Sequence, residues 1–280
     1  MKFIEILKAI VQGIVEGITE WLPVSSTGHI ILLNKFWPMN TKTGEAFFDV
    51  FEVVIQLGAI LAVVLLYWSK LNPFSAKKSA EEKKGTWVLW SKVLIASLPA
   101  AAIGLAMELL WDGIPDYPAI IAIALILYGI GFIVLESVKG RIAPVDSLDK
   151  LSYKHAFGIG AFQMLALIPG TSRSGSTILG ASLLGTSRTV AAEFSFFMAI
   201  PVMLGASGLK FVKALVLDGV TFTADEWVLL AVATAVSFVV SLLVIRGLMA
   251  FIKKYSFKPF GWYRIALGAV VLLCVAMNWL

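Results

Sequence analysis

Gln12, Glu16 and Glu20 recur every fourth residue and stand among Ile14, Val15, Ile18, Trp21 and Leu22. On a helix they share one face, and Lys8 extends the stripe. Two carboxylates one turn apart repel each other, more strongly in apolar surroundings. A bound cation, a shared proton or a nearby Arg has to offset that repulsion. The plainer reading, a surface helix with this face in water, sits poorly with the apolar neighbours. Ser25, Ser26, Thr27, Gly28 and His29 follow directly after Pro23. One hydroxyl suffices to cap the next helix. Capping leaves His29 unexplained, one of only two histidines in the chain. A Ser with a base in reach is the arrangement of an activated hydroxyl nucleophile, and Glu20 and His29 are both candidate bases.

A second polar cluster comprises Thr171, Ser172, Arg173, Ser174, Ser176 and Thr177. Arg173 is the only Lys, Arg, Asp or Glu between Lys154 and Arg188. An Arg in such a stretch calls for an anion. Its planar fork matches phosphate, and the start of the following helix adds backbone N–H donors. The structural alternative is an Arg paired with Glu16 or Glu20, and the two can alternate between a filled and an empty site. His155 beside Lys154 reads as interfacial. Glu52 and Glu193 either pair with site residues or cap helices; the sequence does not choose. Trp87, Trp90, Tyr117, Trp227, Trp262 and Trp279 fall near the ends of apolar runs, as an interfacial aromatic belt does.

The elements that position these residues belong to a membrane protein. Charged residues make up only 15% of the 280 residues, against roughly 25% in soluble domains. Hydrophobic residues make up 59%, more than a soluble fold of this size can hide. The composition excludes a disordered chain, a secreted disulfide scaffold and a typical cytosolic enzyme. A single Cys, Cys274, allows neither an internal disulfide nor a Cys-based metal site. The net charge of +5 is scattered between apolar runs, so a nucleic-acid partner is not expected. Six full spans are predicted, over about 46–68, 87–110, 117–136, 188–213, 226–251 and 261–280. Residues 1–36 and 153–186 are each broken by a Pro/Ser/Gly segment and read as re-entrant helical hairpins; one kinked span apiece is the alternative. The acidic residues in the first apolar run argue against a cleavable signal peptide.

Loop charges set the orientation. Lys70, Lys77, Lys78, Lys83 and Lys84 mark one loop. Lys139, Arg141, Lys150 and Lys154 mark a second, and Lys253, Lys254 and Lys258 a third. The alternate connections carry Asp112 and Asp116, then Asp218, Asp225 and Glu226. The basic loops are therefore expected in the cytoplasm and both termini outside, the two hairpins entering from opposite sides. The hairpins also resemble each other, with Pro23 opposite Pro169 and Ser26 opposite Ser172. The expected fold is thus an all-α integral membrane protein of about six transmembrane helices plus two re-entrant hairpins, related by an inverted-topology repeat. It forms one membrane domain over 1–280, with repeats over about 1–110 and 153–251.

Glu16-Gly-Ile-Thr-Glu20-Trp-Leu-Pro-Val-Ser-Ser-Thr-Gly-His29 and Pro169-Gly-Thr-Ser-Arg-Ser-Gly-Ser-Thr177 resemble the bacitracin-resistance type of undecaprenyl-diphosphatase. The similarity runs along essentially the whole chain, including Phe51–Gly58 and Ala192–Phe196. The resemblance implies a phosphatase of the bacterial cytoplasmic membrane that depends on a divalent cation, Mg²⁺ or Ca²⁺. It implies hydrolysis of undecaprenyl diphosphate to the monophosphate carrier and inorganic phosphate, in a site open to the outer face. The family's acidic motif falls on Glu16 and Glu20, which are the expected metal ligands. Its catalytic residues fall on Glu20, Ser26, His29 and Arg173. Ser25, Thr27, Ser172, Ser174 and Thr177 are the expected substrate-binding residues. The expected partners are the polyprenyl diphosphate and membrane lipid; the sequence allows a homodimer without specifying one. A second group of lipid phosphatases, with a Ser-Gly-His signature, fails because no His follows Arg173.

In the mechanism this suggests, Arg173 holds the terminal phosphate, Ser26 attacks, and Glu20 or His29 takes the proton. Direct attack by water is the variant, and the roles of Glu20 and His29 are interchangeable at this level. The rival class is a transporter flipping polyprenyl phosphate across the bilayer, which needs Arg173 but has little use for Ser26 beside His29.

Overall fold

The computed structural model describes residues 2–111, 117–138, 143–277 and 279. Its helices are α1 (Phe3–Thr19), α2 (Ser26–Phe36), α3 (Glu45–Leu66), α4 (Trp68–Leu71), α5 (Ala80–Trp111), α6 (Pro118–Ser137), α7 (Tyr153–Gln163), α8 (Arg173–Leu183), α9 (Arg188–Val212), α10 (Ala224–Lys254) and α11 (Lys258–Ala276). A 3₁₀ turn, Met164–Leu167, prolongs α7, and a π turn, Lys213–Leu217, prolongs α9. Six helices, α3, α5, α6, α9, α10 and α11, are long and apolar enough to cross a bilayer. The protein is therefore a multi-pass membrane protein, and the six predicted spans correspond to these helices. The largest difference is α5, which begins at Ala80 instead of about 87, because Glu81 and Glu82 favour a helix start and Ser79 caps the Glu82 N–H at 3.2 Å. Of the expected orientation signals, Asp112, Asp116, Lys139 and Arg141 lie outside the described residues, as do the terminal Asn278 and Leu280 of the sixth span.

Both broken segments are helix–break–helix, α1 to α2 across 20–25 and α7 to α8 across 168–172. The chain forms two compact units interleaved in sequence. The first comprises Met1–Trp21, Ser26–Leu66 and Ala199–Gly247; the second comprises Leu22–Ser25, Tyr67–Met198 and Leu248–Leu280.

In the first unit, small residues let backbones approach. A Cβ built on Gly13 would stand 2.5 Å from the Ala233 carbonyl oxygen, one on Gly17 2.8 Å from that of Ser237, and one on Gly58 2.2 Å from that of Thr234. The glycines of α1 and α3 thus seat both helices directly on the backbone of α10, a packing mode suited to helices that gain nothing by hiding from lipid. Ala9, Ile30, Phe47, Phe51, Ile55, Leu229, Leu230 and Ala233 fill the core beside this seam. Polar straps hold the segment after α2. The buried Lys8 ammonium donates to Glu5 at 3.0 Å and to the Pro38 carbonyl at 2.6 Å, and Glu5 accepts the Asn40 N–H at 3.0 Å. Glu226 accepts the N–H groups of Thr43 and Thr223, both at 2.7 Å. Glu52 pairs with Lys210 at 3.5 Å.

In the second unit, α6 and α11 meet at reciprocal glycines: a Cβ on Gly129 would stand 2.7 Å from the Gly261 carbonyl oxygen, and one on Gly261 2.7 Å from that of Gly129. Glu136, near the end of α6, accepts from Arg188 and, at 3.4 Å, from the Phe257 N–H. Glu193 pairs with Lys70. Glu52 and Glu193 therefore both have lysine partners, Lys210 and Lys70, which are neither of the two roles the sequence offered, a pairing with site residues or a helix cap.

The glycine seam predicts a specific sensitivity. Replacing Gly58 by Ala sets a methyl against a backbone carbonyl, an obstacle that no side-chain rotation relieves. Gly58→Ala is expected to cost about 1–3 kcal/mol, read as a lower thermal unfolding midpoint in detergent. Gly247→Ala, on α10 with nothing within 4 Å of the added Cβ, should leave the midpoint unchanged or raised. Equal midpoints for the two variants would refute the seam.

Candidate active site

The acidic face of α1 is buried. Gln12 and Glu16 are 1% exposed and Glu20 6%. Glu20 caps the helix, still in αR geometry, and its N–H reaches the Glu16 carbonyl at 3.0 Å. The chain then turns through residues 21–24, and Ser25 adopts φ 76 before α2 begins at Ser26. This tight reversal brings the Ser26 hydroxyl to Glu20, with Oγ donating to Oε2 at 2.5 Å. A short bond to a carboxylate is charge-assisted and aligns the hydroxyl for deprotonation. The structure thus pairs Ser26 with one of the two candidate bases. His29 lies one turn further along α2, half-buried. Lys8 does not complete the acidic stripe as a ligand; its ammonium is held by Glu5 and the Pro38 carbonyl.

The acidic face passes a chemical test for a hard cation. Glu16, Glu20 and the Ser26 hydroxyl are oxygen donors, which suit Mg²⁺ or Ca²⁺. On the same face both amide atoms of buried Gln12 lack hydrogen-bond partners among the described residues, so a polar occupant fits there. No group of three or more His, Cys, Asp or Glu among the described residues could hold a metal alone. Glu16 and Glu20 are the residues that would hold such an ion.

The second cluster is built around the start of α8. Ser172 has φ 74 and caps the helix, its Oγ accepting the Gly175 N–H at 3.0 Å and lying 3.1 Å from Ser174 Oγ. Ser174 donates to the Leu22 carbonyl at 3.1 Å, within the same unit. Arg173 opens the helix and turns its guanidinium onto α9, where Nη1 donates to the Ser195 carbonyl at 2.8 Å and to Ser195 Oγ at 3.2 Å. Thr177 shares that hydroxyl at 2.6 Å and donates to the Arg173 carbonyl at 2.9 Å. An Arg on a helix N-terminus, oriented by a buried Ser–Thr pair, has the chemistry to hold a tetrahedral anion.

The two breaks agree in backbone, with one correction of register. Each places a serine in the left-handed region immediately before a helix, so Ser25 corresponds to Ser172 and Ser26 to Arg173. The sequence alignment put Ser26 opposite Ser172. The slip arises because one residue separates Pro23 from its left-handed serine and two separate Pro169 from Ser172, Gly170 at φ 85 taking up the extra step.

Ser25, Ser26, Glu16 and Glu20, and in the second cluster Ser174 and Thr177, are all buried. Sequence reasoning missed two residues. Ser195 orients Arg173; its only signal was a hydroxyl inside an apolar span. Arg264, 0% exposed on α11, donates to the break carbonyls of Pro23, Gly170 and Thr171. An ionisable residue just inside a span was the signal there. His155, read from the sequence as interfacial, forms a reciprocal cap with Ser152 at the start of α7.

A profile described as bacitracin resistance protein BacA matches residues 9–270. Among curated proteins, one named undecaprenyl-diphosphatase from Enterococcus faecalis is 54% identical over 273 residues, covering 97% of this chain and 98% of its own. One of the same name from Streptococcus thermophilus is 53% identical over 276 residues, covering 98% and 95%. One from Desulfitobacterium hafniense is 52% identical over 275 residues, covering 98% and 97%. With this coverage and the buried Glu–Ser and Arg–Ser–Thr clusters on the motifs, the chain belongs to the bacitracin resistance protein BacA family.

Proposed function

We propose that this protein is a phosphatase of the bacterial cytoplasmic membrane that hydrolyses undecaprenyl diphosphate to undecaprenyl phosphate and inorganic phosphate, returning the cell-wall lipid carrier to use and conferring resistance to bacitracin. The observation that carries this reading is the Ser26–Glu20 hydrogen bond at 2.5 Å. A transporter that moves a lipid phosphate uses Arg173 but has no work for a hydroxyl aligned on a buried carboxylate. The name shared by relatives across nearly the full chain supports the same reading.

Arg173, oriented by Ser195 and Thr177, binds the terminal phosphoryl group and neutralises charge as it transfers. Backbone N–H groups at the start of α8 and the hydroxyls of Ser172 and Ser174 complete the cradle. Ser25 and Thr27 contribute at the start of α2. Glu20 takes the Ser26 proton as Oγ attacks the terminal phosphorus. The new Oγ–P bond forms, the anhydride P–O bond breaks, and undecaprenyl phosphate leaves with the electron pair. Water then attacks the phosphoserine; Glu20 returns its proton to Oγ, and inorganic phosphate departs. His29 accepts the proton of that water. A divalent ion held by Glu16 and Glu20 would supply charge neutralisation to the phosphate oxygens.

The two broken segments act as re-entrant hairpins of an inverted repeat in one membrane domain. Three observations support this: the matching left-handed serines, the matching helix starts and the lysine partners of Glu52 and Glu193. The basic loop containing Lys70, Lys77 and Lys78 supports a cytoplasmic side there and a site open to the outer face.

Phosphate release from undecaprenyl diphosphate by purified protein tests the reading. Ser26→Ala is expected to lose at least about a thousandfold in kcat, and Glu20→Gln about a hundredfold or more. Acid-quenched wild type should carry phosphate on Ser26; an unlabelled Ser26 with full turnover in Ser26→Ala would return the mechanism to direct attack by water. Arg173→Ala is expected to lose about a thousandfold, and Arg173→Lys should recover only part, since an ammonium cannot reproduce the fork. EDTA should abolish release and Mg²⁺ or Ca²⁺ restore it. Release indifferent to EDTA would remove the ion from the mechanism.

A further inference from the structure

Arg264 is wholly buried on α11, and all its hydrogen bonds within the described residues go to backbone carbonyls. Nη1 donates to Pro23 at 3.1 Å; Nη2 donates to Gly170 at 3.1 Å and Thr171 at 2.9 Å. The Nε and Nη2 contacts to Leu125 and Ala124 are longer, 3.4 and 3.5 Å, and the guanidinium carbon sits 5.3 Å over the Tyr128 ring. Pro23 lies two residues before left-handed Ser25, and Gly170 two residues before left-handed Ser172. One guanidinium thus holds equivalent carbonyls in the two breaks through its two terminal nitrogens. The fold makes room for it: a Cβ on Gly175, in the first turn of α8, would stand 2.9 Å from Nη1.

A helix break deep in an apolar protein frees carbonyls that no water reaches, and each one left bare costs about 1–3 kcal/mol. A residue held at positive φ without being glycine adds strain that its surroundings must contain. Arg264 answers both demands at both breaks. The residues next in sequence to the left-handed serines are Ser26 and Arg173.

We propose that Arg264 is a positioning residue that couples the two breaks, so that one buried guanidinium sets the helix starts carrying Ser26 and Arg173. Its place in catalysis rests on the phosphatase reading above; its coupling of the breaks does not. A fixed network of carbonyl acceptors calls for the guanidinium fork. Lysine keeps the charge, yet a single ammonium cannot span Pro23, Gly170 and Thr171 in the same plane.

The test uses the full chain in detergent, with amide hydrogen exchange read on peptides covering 20–30 and 168–178 and phosphate release read as kcat and KM. Arg264→Lys is expected to raise exchange about tenfold in both peptides together. It should lower kcat about a hundredfold, as misplacement by an ångström does, with KM nearly unchanged. Gly175→Ala, which leaves Arg264 in place but crowds Nη1, should loosen the 20–30 peptide as well as its own segment. Glu226→Gln serves as the structural control: it weakens the contacts to Thr43 and Thr223, and at equal loss of thermal stability it should leave both peptides and kcat unaltered. The proposal is overturned if Arg264→Lys loosens one break alone or neither, or if the control reproduces its kcat loss. Should Arg264→Lys not fold, the response of peptide 20–30 to Gly175→Ala decides alone. A wild type that releases no phosphate defeats the phosphatase reading, while the exchange arm still judges the coupling.

Discussion

A peptide group surrounded by apolar atoms has to find its hydrogen bonds inside the protein. An unbroken helix meets that demand by itself, which is why the six long helices need little beyond length and hydropathy to form. A broken helix does not meet it, and this chain breaks two. Everything unusual in the structure gathers where those freed groups are satisfied: a buried Arg spent wholly on carbonyls, serines that cap helix starts, a hydroxyl that reaches from α8 to the Leu22 carbonyl. Ser26 and Arg173 lie on the helix starts that these breaks create. Chemistry and backbone accounting are therefore the same problem here: the N–H groups that the break exposes are the donors an anion needs.

Packing solves the other half. Lipid offers helices no hydrophobic reason to associate, so close contact has to come from shape. In the first unit Gly13, Gly17 and Gly58 bring α1 and α3 onto the backbone of α10. Gly13 and Gly17 each lie three residues before a carboxylate, Glu16 and Glu20, so the glycine seam runs directly beside the acidic stripe. A helix seated on backbone cannot easily roll, and a carboxylate one turn from its neighbour keeps its direction.

Much of this was legible in the sequence. The spans follow from hydropathy, and the two breaks follow from Pro23 and Pro169 among hydroxyls. The candidate site residues follow from charges that apolar surroundings do not tolerate idly. What stayed hidden depends on the path of the chain across a break. Six residues separate Glu20 from Ser26, a spacing that periodicity cannot interpret once the helix has stopped; only the turn through 21–25 shows that Glu20 is the carboxylate Ser26 meets. The register of the two breaks slipped by one for a similar reason, since alignment by proline ignores the extra residue that Gly170 accommodates. Ser195 and Arg264 escaped because their partners are distant in sequence. For Arg264 those partners are carbonyls, which carry no residue-type signal at all. Ion pairs advertise themselves by opposite charges; an Arg that binds backbone does not.

The left-handed serines bear on how such a break behaves mechanically. Pro- and Gly-rich interruptions in membrane helices are commonly taken for hinges, and a glycine at either position would make one, since it moves between positive and negative φ at little cost. Serine has no such freedom. At Ser172 the hydroxyl is bonded to the Gly175 N–H, so leaving the left-handed well would also uncap the helix. A serine held there makes the interruption a clamp where a glycine would make a hinge.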